Sequence, residues 1–235
     1  MKLLVHAATD IGRIRQNNED SYLVDAGRGV FVVADGLGGL EGGEIASQTA
    51  VETIARLLRE QGPAAVGDLN ALFQSANQAV LQAGRDRGIL QIGTTLTLAH
   101  IEGDRLRIGH VGDSFALLVR DNTCTALTRE HNVANDSPPG RDISKLSRSY
   151  QRALTRVIGQ LEPPRVDLIE ETLRPGDWLI LATDGLTDCV ANVAIAEACR
   201  VADDPSVVVP MLVEAALDTS GHDNITVIGV HLLDA

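Results

Sequence analysis

The 235-residue chain has only three cysteines, Cys124, Cys189 and Cys199, with no Cys-x-x-Cys pair among them. An odd, widely spaced set argues against a disulfide framework or a zinc knuckle and leaves them as small core residues. Long apolar runs are missing too: nothing approaches the roughly 18 residues a membrane helix needs. The stretch from Met1 to Thr9 is too short for a secretion signal, so a cytoplasmic location is expected. Positive charge is scarce: 20 Lys and Arg face 32 Asp and Glu, a formal net charge of −12. Such a surface repels nucleic-acid backbones and anionic membranes, and neither is expected as a partner. Internal repeats, low-complexity tracts, and P-loop, His-Glu-x-x-His or Gly-x-Ser-x-Gly texts are all absent. Four residues separate Cys124 from Arg129, one short of a cysteine-phosphatase loop, which argues against a covalent thiol mechanism.

With 44% hydrophobic residues and no break in composition, the chain reads as one domain over residues 1–235. Period-2 or continuous apolar runs predict strands at 2–8, 22–26, 30–34, 94–101, 105–111, 115–120, 166–170, 178–183 and 224–232. Apolar residues at 3.6 spacing predict helices over 43–60 and 68–85, and a second pair over 193–201 and 206–219. Short polar turns such as Glu102-Gly103-Asp104 and Arg120-Asp121-Asn122 favour antiparallel hairpins. Strands dominate both ends and helices come in two blocks, which is an α+β order with helices outside sheets rather than β-α-β alternation. Residues 131–152 are polar, with Ser137-Pro138-Pro139-Gly140, and read as an excursion bordering a site.

Five acidic residues, Asp20, Asp35, Asp113, Asp184 and Asp223, stand where apolar runs end or Gly-rich turns begin. Carboxylates gathered from separate strand ends would repel one another unless cations lay between them. Hard oxygen ligands select magnesium, manganese or calcium over zinc or copper. His6, His100 and His110 lie in apolar runs and read as packed, hydrogen-bonded residues, and Trp178 as core.

The texts T-D-I-G-R-I-R-Q-N-N-E-D-S-Y (9–22), V-A-D-G-L-G-G, G-T-T-L-T, V-G-D-S, A-T-D-G-L-T-D and D-N-I-T follow one another in that order. The set resembles the metal-dependent protein phosphatases of the PPM, or type 2C, class, and in particular their short bacterial catalytic domains. The resemblance implies a central β-sandwich of two antiparallel sheets flanked by antiparallel helix pairs. It implies hydrolysis of phosphoserine and phosphothreonine in proteins by a water bridging two Mn2+ or Mg2+ ions, with a weaker third ion. Position by position, Asp35 resembles the carboxylate shared by two ions, with the Gly36 carbonyl as a further ligand. Asp20 resembles a ligand of one ion, Glu19 a group reaching metal through water, and Asp184 and Asp223 the ligands of the other ion. Asp113 and Asp188 resemble the holders of the third ion, Arg15 the phosphate-binding arginine and Asn224 a supporting group. The implied partners are phosphoproteins and a Ser/Thr kinase pathway, with the chain a monomer and residues 131–152 a flap-like excursion.

Departures from the family text are specific. Leu37 and Leu40 stand where relatives carry histidines that could protonate the leaving alkoxide, so that proton has another source. His131 and His222 are the candidates, by closeness to motif text alone. Phe115 stands where an Arg often follows Gly-Asp-Ser, and residues 132–150 depart from the usual flap. A sensor module without turnover and a phosphoesterase acting on small molecules are the competing readings.

Overall fold

Alternation along β3 (Val30–Asp35) accounts for the layering of the molecule. Val30, Val32 and Ala34 enter a core shared with helices, while Phe31 and Val33 enter one shared with a second sheet. Covered on both faces, the strand reads as a continuous apolar run. A computed structural model describes residues 1–37, 42–138, 140 and 142–234, with Pro63 described by its backbone only.

One antiparallel sheet runs β2 (Asp20–Asp25), β3, β4 (Leu96–Glu102), β5 (Arg105–Val111), β8 (Asp167–Thr172). The other runs β1 (Lys2–Asp10), β10 (Ile225–Leu233), β9 (Trp178–Ala182), β6 (Phe115–Arg120), β7 (Thr123–Ala126). In β9, Leu179 and Leu181 face the first sheet, while Trp178, Ile180 and Ala182 face the outer helices. Helices α1 (Gly43–Gln61) and α2 (Leu69–Arg87) cover the first sheet through Ala46, Ala50, Ile54, Leu72, Phe73 and Val80. Helices α6 (Asn192–Val201) and α7 (Pro205–Thr219) cover the second through Ile195, Cys199, Val208, Leu212 and Ala216. The order helix, sheet, sheet, helix is the α+β sandwich that the sequence implies. Caps set the ends: Asp68 accepts from the Ala71 N–H, and Asp204 accepts from the Ser206 N–H ahead of Pro205 at the first turn.

Besides the short turns of residues 62–67 and of the excursion over 131–152, β7 and the short helix that follows β9 lie outside the sequence expectations. β7 has the text Thr-Cys-Thr-Ala, too polar to read as a strand, and exists because Asp121 and Asn122, both at positive φ, close a tight hairpin onto β6. The single-turn helix α5 (Asp184–Thr187) is too short to leave a periodic signal. No described helix is long and apolar enough to cross a membrane. Of the cysteines, Cys199 is buried and Cys124 and Cys189 are half-buried, all three as free thiols. Trp178 is buried, with its ring stacked on His231 at 4.2 Å between centroids.

The excursion between β7 and β8 is closed at its base by an isolated bridge between Asn132 and Leu154 and by the Val133 N–H donating to the Ala153 carbonyl at 3.0 Å. It contains two single turns, α3 (Val133–Asp136) and α4 (Arg148–Gln151). Where the chain leaves it, Asn77 of α2 holds the backbone. Its Oδ1 accepts from the Gly159 and Gln160 N–H groups at 2.7 and 3.1 Å, and its Nδ2 donates to the Gln160 carbonyl at 2.9 Å. Asn77 is fully buried, so truncation leaves three half-buried backbone groups without this partner. Asn77→Ala is expected to lower unfolding stability by about 2 kcal/mol or more, measured by urea denaturation. A change within experimental error would show that the loop does not need this pin.

Candidate metal centre

The pairing register of β2 and β3 sets Asp20 opposite Asp35 at one end of the first sheet. Asp184 follows β9 and Asp223 precedes β10, neighbouring strands of the second sheet. The two sheet ends are tied together: the Thr183 hydroxyl donates to Asp20 Oδ2 at 2.9 Å and accepts from the Thr226 N–H at 3.0 Å. Asp113 occupies the turn between β5 and β6, and the Thr95 hydroxyl links that turn to β3. It accepts from the Asp35 N–H at 2.9 Å and shares a hydrogen bond with Ser114 Oγ at 2.7 Å. The Thr94 hydroxyl donates to the Asp35 carbonyl at 2.8 Å. The Gly-Thr-Thr and Gly-Asp-Ser texts are therefore the brackets that fix Asp35 and Asp113.

Burial and crowding dominate the electrostatics. Burial is the largest cause holding the Asp35 carboxyl well above the usual range, and Asp20, Asp184, Asp113 and Asp223 add their repulsion in that order. Asp20 is pushed up to about 7 by burial, against hydrogen bonds from threonines and with repulsion from Asp184 and Asp223. Asp113 is pushed up to about 7, first by burial and then by Asp184 and Glu130. Asp184 rises to about 6, first by burial and then by Asp223 and Asp188. Such groups cannot all ionise side by side unless positive charge lies among them. Asp20 Oδ1 is buried without a hydrogen-bond partner, an acceptor suited to a cation. Among the described residues no group of three or more His, Cys, Asp or Glu side chains is placed to hold a metal ion as it stands. The positive charge at the rim comes from two guanidinium groups. Arg15 donates to Asp223 Oδ2 at 2.7 Å, and Arg152 donates to Asp188 Oδ2 and lies 3.9 Å from Asp184 Oδ2. An all-oxygen, multiply acidic donor set fits hard divalent ions.

The remaining residues singled out from sequence border the same region. The Glu19 carboxyl, raised chiefly by burial and lowered by Arg15, lies over the start of α1, about 3.0 Å from where a side chain at Gly43 would begin. Gly36 donates its N–H to the Glu19 carbonyl at 3.0 Å, and a Cβ there would collide with the Gly43 carbonyl, so only glycine fits. Asp188 sits one turn beyond Asp184, with its N–H on the Asp184 carbonyl at 2.8 Å. Asn224 clamps two loops: its Nδ2 donates to the carbonyls of Ile11 and Asn17 at 2.9 and 3.0 Å, and its Oδ1 accepts from the Glu19 N–H at 2.8 Å. Gly185 lets α5 rest on this clamp, since a Cβ would overlap the Asn224 carbonyl.

The expectations for the histidines divide. His131 is buried and fully engaged away from the carboxylates. Its Nδ1 accepts from the Gly112 N–H at 3.1 Å, and its Nε2 lies 3.1 Å from both Asp167 Oδ2 and Arg156 Nη1. It is therefore withdrawn as a proton source for the leaving group. His222 stays at the rim, half exposed, with Nδ1 at 2.7 Å from Ser220 Oγ and Nε2 at 3.9 Å from Asp188. His110 is the buried, hydrogen-bonded residue expected, paired with Thr97 Oγ1 at 2.8 Å. Leu37 packs against Gly93, and Leu40 lies outside the described residues. Phe115 packs into the core between the second sheet and its helices. Sequence reasoning missed Arg152, which stands in aperiodic polar text, and Thr183, whose motif neighbour Asp184 drew the attention.

The model of the family described as protein phosphatase 2C matches residues 13–212. The chain is 34% identical to the serine/threonine protein phosphatase PstP of Mycobacterium tuberculosis over 97% of its own length, and it spans 45% of that relative. It is 30% identical to the protein phosphatase PhpP of Streptococcus pneumoniae, with 93% of each chain covered. A crystal structure of the PstP catalytic domain with two manganese ions superposes with a TM-score of 0.81 at 30% identity, covering 99% of this chain and 100% of that one. The fold, the ordered carboxylates and these likenesses agree: this chain belongs to the protein phosphatase 2C family.

Proposed function

We propose that the chain removes phosphate from phosphoserine and phosphothreonine in proteins, reversing the work of a Ser/Thr kinase. The observation that carries this reading is the convergence of mutually repelling carboxylates from both sheets, Asp20 buried and Asp35, Asp113, Asp184 and Asp223 half-buried, with Asp20 Oδ1 left without a partner. A relative and a solved structure named as serine/threonine protein phosphatases, the structure with two manganese ions, support the substrate class and the metal.

In this reading Asp35 would be shared by two ions, with the Gly36 carbonyl as a further ligand, while Asp20 would hold one of them and Asp184 and Asp223 the other. Glu19 would contribute through water, and Asp113 and Asp188 would hold a third ion more weakly. Manganese or magnesium bound there would supply charge neutralisation for the phosphoryl group and a water acidic enough to attack at neutral pH. The protein's own part is positioning. Arg15 commits one Nη to Asp223, which fixes the plane of its guanidinium. Its other N–H groups have no protein acceptor among the described residues and can take two phosphoryl oxygens at once. Asn224, Thr183, Thr94 and Thr95 hold the carboxylate-bearing backbone still, so that little reorganisation is needed when substrate arrives.

With manganese supplied, the protein is expected to hydrolyse a generic aryl phosphate, and Asp35→Asn to lose about 100-fold or more of kcat/KM. Turnover by the variant equal to that of the parent would sink the metal reading. Phosphothreonine peptides are expected to be better substrates than sugar phosphates or nucleotides, and the reverse order would remove the protein-phosphatase assignment. Arg15→Ala is expected to lower kcat/KM by about 10- to 100-fold, roughly 1.4–2.7 kcal/mol of transition-state stabilisation. Manganese stoichiometry should not change. Loss of the metal itself, seen by calorimetry, would contradict a phosphate-binding role for Arg15.

A further inference from the structure

The outer part of the excursion reverses the charge of the rest of the molecule. Residues 142–152 contain Lys145, Arg148 and Arg152 against the single acid Asp142, within a chain of net charge −12. Their arrangement is fixed by hydrogen bonds. Ser147 Oγ caps α4 by accepting from the Tyr150 N–H at 3.3 Å, and the Arg152 N–H donates to the Arg148 carbonyl at 3.1 Å. Gln151 Nε2 ties the turn to the preceding segment through the carbonyls of Ile143 and Leu146, at 3.1 and 2.9 Å. Arg148 and Arg152 thus lie one helical turn apart on one face, about 6 Å between their Cβ atoms.

The inner member of this pair, Arg152, reaches Asp188 and approaches Asp184. The outer member, Arg148, is exposed and has no carboxylate partner among the described residues. Lys145 is exposed over 83% of its side chain and is held only by an Asp142 contact at 3.5 Å. Tyr150, on the same turn, is 52% exposed, although the chain has only three Phe, two Tyr and one Trp. An exposed aromatic ring beside the unpaired Arg148 and the weakly held, exposed Lys145 at the edge of a reaction site offers both an apolar contact and charge to a passing chain.

We propose that the turn from Lys145 to Arg152 is a docking surface for acidic residues flanking the phosphorylated residue of the substrate. This rests on the protein-phosphatase reading above and narrows it to a class of sequence. The occupant is a short anionic segment rather than a nucleic acid or a membrane, because the surrounding surface is acidic and would repel an extended polyanion. Arg148 lies one turn beyond the rim, about 5–6 Å, and an extended peptide covers about 3.3 Å per residue. The acidic side chain it meets therefore lies about two residues from the phosphorylated one.

The test uses manganese-loaded protein and fluorescent peptides with a non-hydrolysable phosphonate at the centre and Asp, Ala or Lys at the second and third flanking positions. At about 150 mM salt the screening length is about 8 Å, so local charge outweighs the net charge of the chain. The Asp peptides are expected to bind about fivefold or more tighter than the Lys peptides. The double variant Lys145→Glu/Arg148→Glu should abolish or invert that order while hydrolysing aryl phosphate within about twofold of the parent. Should the charge reversal disturb folding, Lys145→Gln/Arg148→Gln should still flatten the preference. Equal affinities in the parent, or a preference that survives both variants, overturn the proposal. If the preference holds but matched phosphothreonine peptides are not hydrolysed, docking stands and the substrate assignment falls instead.

Discussion

Repulsion among buried carboxylates is the constraint on which the rest of the structure depends. Asp20, Asp35, Asp113 and Asp184 are each held above the ordinary carboxylate range, chiefly by burial and then by one another. A protein gains no stability from such an arrangement on its own, since each unpaired buried charge costs free energy. Cations bound among these side chains would neutralise the repulsion, and their binding energy would offset the cost. Arg15 and Arg152 relieve part of it by pairing with Asp223 and Asp188 at the rim.

Holding repelling groups together requires a stiff frame, and the fold supplies one from two directions. Strand pairing sets Asp20 beside Asp35, and the facing sheet brings Asp184 and Asp223 from adjacent strands. Hydroxyl and amide side chains then lock the strand ends: Thr183 across the two sheets, Thr95 and Ser114 across the β3 and β5 ends, and Asn224 across the loop carrying Asn17 to Glu19. None of these groups is charged. They fix the backbone without adding to the field at the site, and their hydrogen bonds need no rearrangement as charge moves through it.

The strands of the sandwich were legible because most are covered on both faces and leave continuous apolar runs, as Val30–Ala34 and Trp178–Ala182 do. The four long helices were legible from their 3.6-residue periods. The Asp121-Asn122 turn was legible as a hairpin signal, but the strand it leads into, β7, was not, because Thr-Cys-Thr-Ala carries no apolar run. Of the site, the carboxylates were readable as ordered motifs, and the structure gathers them at one end of the sandwich. Arg152 and Thr183 were not readable, because their importance lies in the partner each meets across the fold. Of the two candidate histidines, His131 fell away for a related reason: nearness to motif text does not say which way a ring faces, and its nitrogens are taken by Gly112, Asp167 and Arg156.

The account stands or falls on whether these carboxylates share cations. Anomalous diffraction from crystals grown with manganese, collected at the manganese edge, is the direct measurement. Two strong peaks are predicted in one pocket, both within coordinating distance of Asp35, one also touching Asp20 and the other Asp184 and Asp223. Manganese absent from Asp35, or Asp20 and Asp184 pointing into separate regions of solvent, would contradict it.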